Sequence, residues 1–140
     1  MEIRHRGHDP ILQRETRLVE LRALASSHPC SRNGRAAMTP AQSLTKAIRE
    51  VLATDGWMTF KVGSTAARNS KGDFYRTGSP GAPDLVAVKG QRYILIEVKA
   101  GKDKLRPAQL AFRQEVERVF GNYIVARGVT DVIDFLEGLP

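Results

Sequence analysis

Three charged residues stand at the ends of two apolar segments that follow one another in the chain. The segments, "DLVAV" and "RYILIEV", have the length and β-branched content of strands and are joined by a short turn. Asp84 precedes the first segment, and Glu97 and Lys99 lie at the end of the second. Residues two apart on a strand share a face, and a hairpin places the start of one strand beside the end of the next. The sequence therefore predicts that Asp84, Glu97 and Lys99 meet at one edge of a sheet, while Val98 points into the core.

Two carboxylates and an ammonium group at one edge of a sheet are suited to metal-assisted hydrolysis of a phosphodiester. Neighbouring carboxylates repel each other unless a cation neutralises them, and Mg²⁺ prefers one or two protein carboxylates together with water and phosphate oxygens. A metal held in this way polarises the phosphodiester and lowers the pKa of a bound water. Lys99 then supplies a cation for the charge that develops on the phosphate, or positions the attacking water. The alternative is a surface ion pair, because Glu-x-Lys on a strand face is common and stabilises little.

The composition is that of one basic globular domain. The chain has 140 residues, 41% of them hydrophobic, and a formal net charge of +7. This is enough for one core, and a basic protein of this size typically binds nucleic acid, the alternative being a surface that is simply rich in lysine and arginine. Cys30 is the only cysteine, which excludes an internal disulfide and a thiolate metal cluster. Without a signal-like or membrane-length apolar run, we expect a soluble cytoplasmic protein with no membrane partner.

The pattern of elements predicts an α/β domain preceded by an arm. Residues 1–38 form a basic arm whose segment "ILQRETRLVELRALA" has helical periodicity, and residues 39–140 form the domain. Docking on the core, dimerisation and free movement are all open roles for the arm. The predicted order in the domain is αβββαβα. The first helix runs from Thr39 to Gly56 with a Thr-x-x-Gln capping box, and it is followed by the strands "WMTFKV", "DLVAV" and "RYILIEV". The second helix runs from Pro107 to Gly121 with Leu110, Phe112, Val116 and Val119 as its apolar positions, and the strand "NYIVA" and a last helix capped by Thr130 complete the domain.

Two basic segments are candidates for contact with DNA. "GSTAARNSKGDFYRTGSPGAP" is a long polar loop whose aromatic residues among cations suit a surface that follows a nucleic-acid backbone; an ordinary exposed hairpin is the alternative. Its glycines let the backbone bend sharply. "KDKLR", just after "RYILIEV", lies beside the predicted site, and the alternative there is a solvated loop that leads into a helix. The candidate DNA-binding residues are Arg68, Lys71, Arg76, Lys102, Lys104 and Arg106.

Pro83-Asp84 followed by Glu97-Val98-Lys99 matches the PD-(D/E)xK nuclease signature. The flanking sequence resembles one branch of that superfamily, the virus-type replication–repair nuclease (VRR-NUC) domain, in its small standalone form. The segments that carry this resemblance are "GAPDLVAV", "IEVKAGKDKLRPAQLAF" and "YIVARGVTDVIDFL". The resemblance implies a restriction-endonuclease-like core, with a central mixed four-stranded sheet flanked by helices. It also implies that Asp84, Glu97 and the Val98 carbonyl bind Mg²⁺ or Mn²⁺, that Lys99 is the catalytic lysine, and that Gln109 supports the site from the following helix.

The same resemblance implies a divalent-metal-dependent DNA endonuclease. We expect a homodimer that cuts branched DNA, like a Holliday junction resolvase, in phage or bacterial DNA replication or repair. One departure is that the family's glutamate near the start of the first helix falls at Ala41; Glu50 is half a turn out of phase and is expected to face away. Arg106 stands where the family often has a serine cap. Two alternatives are a DNA-binding module with a degenerate site, which Ala41 favours, and a nickase-like or flap-cleaving nuclease within a larger complex.

Overall fold

A computed structural model describes most of the predicted domain and a short part of the arm. The described residues are 16–17, 19–23, 38–62, 65–68, 71, 74–119 and 121–139, with the backbone alone described at 65–68 and 74–77. Cys30 and most of the predicted arm helix lie outside these residues. In the described part of the chain, no helix has both the length and the apolar content needed to cross a membrane.

The main sheet is mixed and has four strands. The elements in chain order are helix α1 (Pro40–Thr54), strands β1 (Met58–Lys61), β2 (Thr65–Arg68), β3 (Phe74–Thr77), β4 (Leu85–Lys89) and β5 (Arg92–Val98), helix α2 (Pro107–Arg118), strand β6 (Tyr123–Ala126) and helix α3 (Val129–Gly138). The sheet order is β1-β4-β5-β6, antiparallel except for the parallel β5–β6 pair. The predicted fold class, a mixed four-stranded sheet flanked by helices, is confirmed. Strands β2 and β3 form a separate antiparallel hairpin within the segment that was predicted to be a polar loop.

Helix α1 begins and packs as its sequence predicts. The Thr39 hydroxyl accepts the backbone N–H of Gln42 at 3.2 Å, and the Gln42 side chain accepts the N–H of Thr39 at 2.9 Å, which is the predicted capping box. Ile48, Val51 and Leu52 are buried on one face of the helix. Ile48 and Leu52 lie in the core with the buried residues of the sheet, whereas Val51 packs against Ile133 of α3.

The core lies between one face of the sheet and helices α1 and α3. Alternate residues of β4 and β5 are fully buried there, and the set includes Leu85, Ala87, Ile94 and Ile96. Helix α2 packs on the opposite face against β6, where the Phe112 and Tyr123 rings lie 6.4 Å apart.

Two helix predictions need correction. Leu110 and Val119 were expected on the apolar face of α2 but are 47% and 59% exposed, because the sheet lies beside another face of the helix, where Phe112 packs on Tyr123. The last helix begins at Val129 with Gly128 as its N-cap, so Thr130 lies inside the first turn. The Asp131 side chain accepts the N–H of Gly128 at 3.0 Å, and this hydrogen bond allows the helix to start earlier than predicted.

The described part of the arm docks on the domain. Residues 16–17 and 19–23 are helical, and Leu21 is fully buried against Val51 and Ile133 of helices α1 and α3. Arg22 forms an ion pair of 2.9 Å with Glu137. Of the three roles left open for the arm, docking on the core is therefore the one seen for these residues.

Candidate active site

The hairpin β4–β5 places Asp84 beside Glu97. Leu85 pairs with Ile96 in the antiparallel register, so the residues just outside this pair, Asp84 and Glu97, are neighbours. One Asp84 carboxylate oxygen, Oδ2, accepts the backbone N–H of Val98 at 2.8 Å. The Val98 side chain lies in the core, as strand alternation predicts. The structure thus brings both carboxylates to one end of the strand pair.

Glu97, Lys99 and Gln109 hold one another through a closed set of hydrogen bonds. The Lys99 ammonium lies 2.9 Å from Glu97 Oε1 and donates to Gln109 Oε1 at 2.8 Å. The Gln109 amide nitrogen donates to the same Glu97 oxygen. Gln109 Oε1 also accepts the backbone N–H of Arg106 at 2.9 Å, and this bond ties the first turn of α2 to the network. These bonds hold the Lys99 ammonium beside both Glu97 and Gln109.

The second carboxylate oxygen of Glu97, Oε2, takes no part in these hydrogen bonds. Glu97 is only 1% exposed, and its Oε2 is buried with no hydrogen-bond partner among the described residues. Burial raises the pKa of Glu97, the hydrogen bond from Lys99 lowers it, and the nearby charge of Asp84 raises it further. An unpartnered buried acceptor costs about 1–3 kcal/mol, and more when it is charged. The pair of carboxylates is therefore electrostatically incomplete without a further cation.

The donor set fits a hard divalent cation. Asp84 and Glu97 supply carboxylate oxygens, and Val98, whose backbone N–H donates to Asp84 Oδ2, also borders the cleft. Across the residues that the structure describes, no three or more His, Cys, Asp or Glu side chains converge on one point. Two carboxylates suit Mg²⁺ or Mn²⁺, since Mg²⁺ keeps water and phosphate oxygens as its remaining ligands. They do not suit a structural zinc site, which takes four protein ligands.

These residues open into a cleft of about 1100 Å³. One wall is formed by α1 and β1. The other wall is formed by the adjoining ends of β4 and β5 and by the first turn of α2. Asp84, Glu97, Lys99 and Gln109 all border this cleft. The four predicted catalytic side chains are thus brought together at a surface that a large substrate can reach.

The position of Glu50 on helix α1 differs from the expectation. Ala41 and Glu50 both border the cleft, so the expectation that Glu50 faces away is wrong. The cleft follows a broad arc of the helix, and at 100° per residue these two positions lie at its opposite margins. Glu50 is 48% exposed and lies 3.8 Å from the ammonium of Lys46. Ala41 has no carboxylate, and Gln42 is engaged in the capping box.

The predicted DNA-binding residues are dispersed. Arg106 borders the cleft, whereas Lys102 and Lys104 are exposed in the turn before α2 and do not border it. Lys71 is exposed between β2 and β3. Arg68 and Arg76 lie on the β2–β3 hairpin, and their side chains fall outside the described part of the structure.

Three cations at the cleft were missed by the sequence reasoning. Lys46 and Arg49 project from α1, and Lys61 projects from β1. For Lys46 and Arg49, the signal in the sequence was the three-residue spacing of two cations on the polar side of an amphipathic helix. That signal is weak, because such spacings are common on solvated helix faces.

Gly81 allows the loop before β4 to lie directly on the first turn of α2. Its φ angle is +80°, a conformation that favours glycine. A Cβ atom at this position would overlap the carbonyl group of Ala108 and lie 3.0 Å from the backbone nitrogen of Gln109. The loop and the helix turn that carries Gln109 are therefore packed without room for a side chain.

A mixed sheet flanked by helices, with Asp, Glu and Lys converging on a cleft at its edge, defines a nuclease-type domain. A model of the VRR-NUC domain family matches residues 59–130. A solved structure described as "VRR_NUC domain" has the same fold, with a TM-score of 0.55 and 21% identity over 74% of this chain and 100% of that chain. The comparison with curated proteins gives no match. The chain belongs to the VRR-NUC domain family, a family of nucleases that process DNA.

Proposed function

We propose that the chain is a divalent-metal-dependent endonuclease that hydrolyses phosphodiester bonds in DNA. The observation that carries the proposal is the state of Glu97. Its Oε1 is held by Lys99 and Gln109, while its Oε2 is buried without a partner beside a second carboxylate, Asp84. A sheet edge that served packing alone has no need for this arrangement, which is costly without a cation in addition to Lys99.

Each side chain has a distinct role in this proposal. Asp84, Glu97 and the Val98 carbonyl would hold Mg²⁺ or Mn²⁺, which when bound polarises the phosphodiester and lowers the pKa of a bound water. The Lys99 ammonium supplies positive charge where negative charge develops on the phosphate oxygens as water adds to phosphorus and the bond to the leaving oxygen breaks. Gln109 is a positioning residue, because it orients both Glu97 and Lys99.

The substrate in this proposal is branched DNA, and the working form is a homodimer. Two sites related by a two-fold axis suit the symmetric cleavage of a four-way junction. A single 140-residue chain has little surface with which to bind such a junction. The resemblance to VRR-NUC proteins supports a role in phage or bacterial DNA replication or repair.

A second candidate function is DNA binding without cleavage. The observation in its favour is Ala41, which leaves the start of α1 without a carboxylate toward the cleft. This candidate predicts DNA binding that is insensitive to divalent metal ions. It gives no reason for Glu97 Oε2 to be buried without a hydrogen-bond partner among the described residues.

The deciding experiment compares cleavage of a labelled four-way junction and a linear duplex in Mg²⁺, in Mn²⁺ and in EDTA. We expect metal-dependent cutting of the junction by the wild type and at least a 10²-fold loss in Asp84→Asn and Lys99→Ala. Asp103→Asn is the matched control, because Asp103 is exposed and does not border the cleft. If the wild type binds DNA but cuts neither substrate in either metal, the non-catalytic function is correct.

Metal binding can be measured without activity. An ion that binds only the folded chain stabilises it by about 2.7 kcal/mol at a hundredfold excess over its Kd. Thermal unfolding in increasing Mg²⁺ should therefore raise the Tm of the wild type and of Asp103→Asn. The rise should disappear in Asp84→Asn. An equal rise in all three proteins would place the bound ion elsewhere.

A further inference from the structure

The wall of the cleft opposite the catalytic residues carries three cations. Lys46 and Arg49 lie three residues apart on α1, which makes them neighbours on one helix face. Lys61 on the adjacent strand β1 borders the same cleft. We call Lys46, Arg49 and Lys61 the α1 wall.

The positive charge of the α1 wall is only weakly compensated within the described chain. The Arg49 Nε donates to the Thr59 hydroxyl at 3.1 Å, which orients the guanidinium without neutralising it. Neither Arg49 nor Lys61 forms an ion pair with any residue that the structure describes. Lys46 has one acidic neighbour, Glu50, at 3.8 Å, and this pair is mostly exposed to solvent. An exposed pair of this kind stabilises little and leaves the lysine available to an anion.

Charged residues border the cleft on both of its walls. Asp84, Glu97, Lys99 and Arg106 line it at the ends of β4 and β5 and at the start of α2, and the α1 wall lines it from α1 and β1. A chain of phosphates lying along the cleft would therefore have cations on both sides.

The shape and lining of the cleft favour a polymer backbone over a small molecule. A volume of about 1100 Å³ exceeds the roughly 300–1000 Å³ that is usual for small-molecule pockets. None of the described side chains that border the cleft is aromatic, so these residues offer no platform for base stacking. Contacts to phosphates position a nucleic acid without reading its sequence.

We infer that the α1 wall binds the sugar–phosphate backbone of DNA and holds the substrate against the catalytic edge, independently of base sequence. This inference rests on the proposed nuclease function, since it assigns the substrate path of the same cleft. It adds Lys46, Arg49 and Lys61 to the residues expected to contact DNA, on the side of the cleft opposite Arg106.

The test measures binding apart from cleavage. The Kd of a fluorescent four-way junction is determined in EDTA over a range of salt concentrations for the wild type, Arg49→Gln, Lys61→Gln and the triple variant Lys46→Gln/Arg49→Gln/Lys61→Gln. Each lost phosphate contact should reduce the magnitude of the negative slope of log K against log salt by about 0.9, and the triple variant should show about three times this reduction. The control is Arg118→Gln, which removes the same charge from an exposed helix position outside the cleft.

A second variant separates charge from structure. Arg49→Lys keeps the positive charge but cannot reproduce the planar guanidinium bonded to Thr59. It should keep most of the salt slope, whereas a purely structural role for Arg49 would make Arg49→Lys and Arg49→Gln equally weak. In cleavage assays, loss of the wall should raise KM with little change in kcat, because the contact is made equally in the ground and transition states.

The outcomes distinguish this inference from the proposed function. If the wild type binds DNA without cutting it, the endonuclease proposal fails, and the salt slopes still decide the role of the wall. If the wild type cuts DNA and the wall variants have the same slope as Arg118→Gln, the inference is overturned while the endonuclease stands. No binding by the wild type would overturn the inference as well.

Discussion

Replacing Gly81 with alanine tests whether the packing of the loop on α2 positions the active site. The new Cβ would overlap the Ala108 carbonyl and lie 3.0 Å from the Gln109 nitrogen, at a φ angle of +80°. The left-handed conformation alone costs an L-residue about 1–2 kcal/mol. Overpacking against backbone adds about 1–3 kcal/mol, since a backbone carbonyl cannot rotate away as a side chain does. We therefore expect Gly81→Ala to lower the free energy of unfolding by about 2–5 kcal/mol.

Gly90→Ala is the matched control for the conformational part of this loss. Gly90 has a φ angle of +61°, and nothing lies within 4 Å of an added Cβ atom. Only the cost of the left-handed conformation applies there. Urea unfolding of both variants should show a difference of about 1–3 kcal/mol, and this difference isolates the steric overlap between the loop and the first turn of α2.

The same pair of variants tests the effect on catalysis. The first turn of α2 carries Gln109, which orients Glu97 and Lys99. A displacement of about 1 Å in such a network lowers the rate roughly 10²-fold. We expect kcat for junction cleavage to fall in Gly81→Ala and to stay close to the wild-type value in Gly90→Ala, at a temperature where both are folded. Equal stability losses in the two variants, or an unchanged kcat in Gly81→Ala, would refute the reasoning.

Three further predictions concern buried groups. Burial raises the pKa of Tyr123 to about 12, and its hydroxyl has no hydrogen-bond partner among the described residues. Tyr123→Phe should therefore leave the free energy of unfolding in urea unchanged or raise it by about 1–3 kcal/mol. A clear loss of stability would mean that the hydroxyl has a hydrogen-bond partner after all. Leu21→Ala should lower that free energy by about 2–5 kcal/mol, against less than about 0.5 kcal/mol for Val19→Ala, whose side chain is 69% exposed; equal effects would mean that the arm does not contribute to the core. Because burial raises the pKa of Glu97 above its ordinary value of 4.5, the folded state binds this proton more tightly than the unfolded state. In EDTA, the free energy of unfolding should therefore fall as pH rises from 4.5 through the pKa of Glu97 in the folded state. Glu97→Gln should remove this pH dependence. The prediction is contradicted if both proteins give the same pH profile.

Much of the catalytic edge could be predicted from the sequence because it depends on local structure. The short turn between β4 and β5 sets their register, and the register alone makes Asp84 and Glu97 neighbours. Strand alternation then places Lys99 with Glu97 and turns Val98 into the core. The capping box of α1 is equally local, since both of its hydrogen bonds join Thr39 to a residue three positions later.

Predictions about which helix faces lie against other elements were less secure. Leu110 and Glu50 were misplaced because helical periodicity gives the relative directions of side chains but not the element that lies beside each face. The homodimer, the preference for branched DNA and the division into residues 1–38 and 39–140 stay predictions. The burial of Leu21 between α1 and α3 makes part of the arm continuous with the domain core.

The amino-acid sequence by itself determined the four strands of the main sheet, the pairing of β4 with β5 and the signature residues, because these follow from turns and alternation between residues close along the chain. Only the tertiary structure decided that Glu97 Oε2 is buried without a partner, that the α1 wall faces the catalytic edge, and that Gly81 packs on the turn carrying Gln109. These features join elements far apart in the sequence. They depend on how the helices dock on the sheet, and no local pattern specifies the distance or the orientation of that docking.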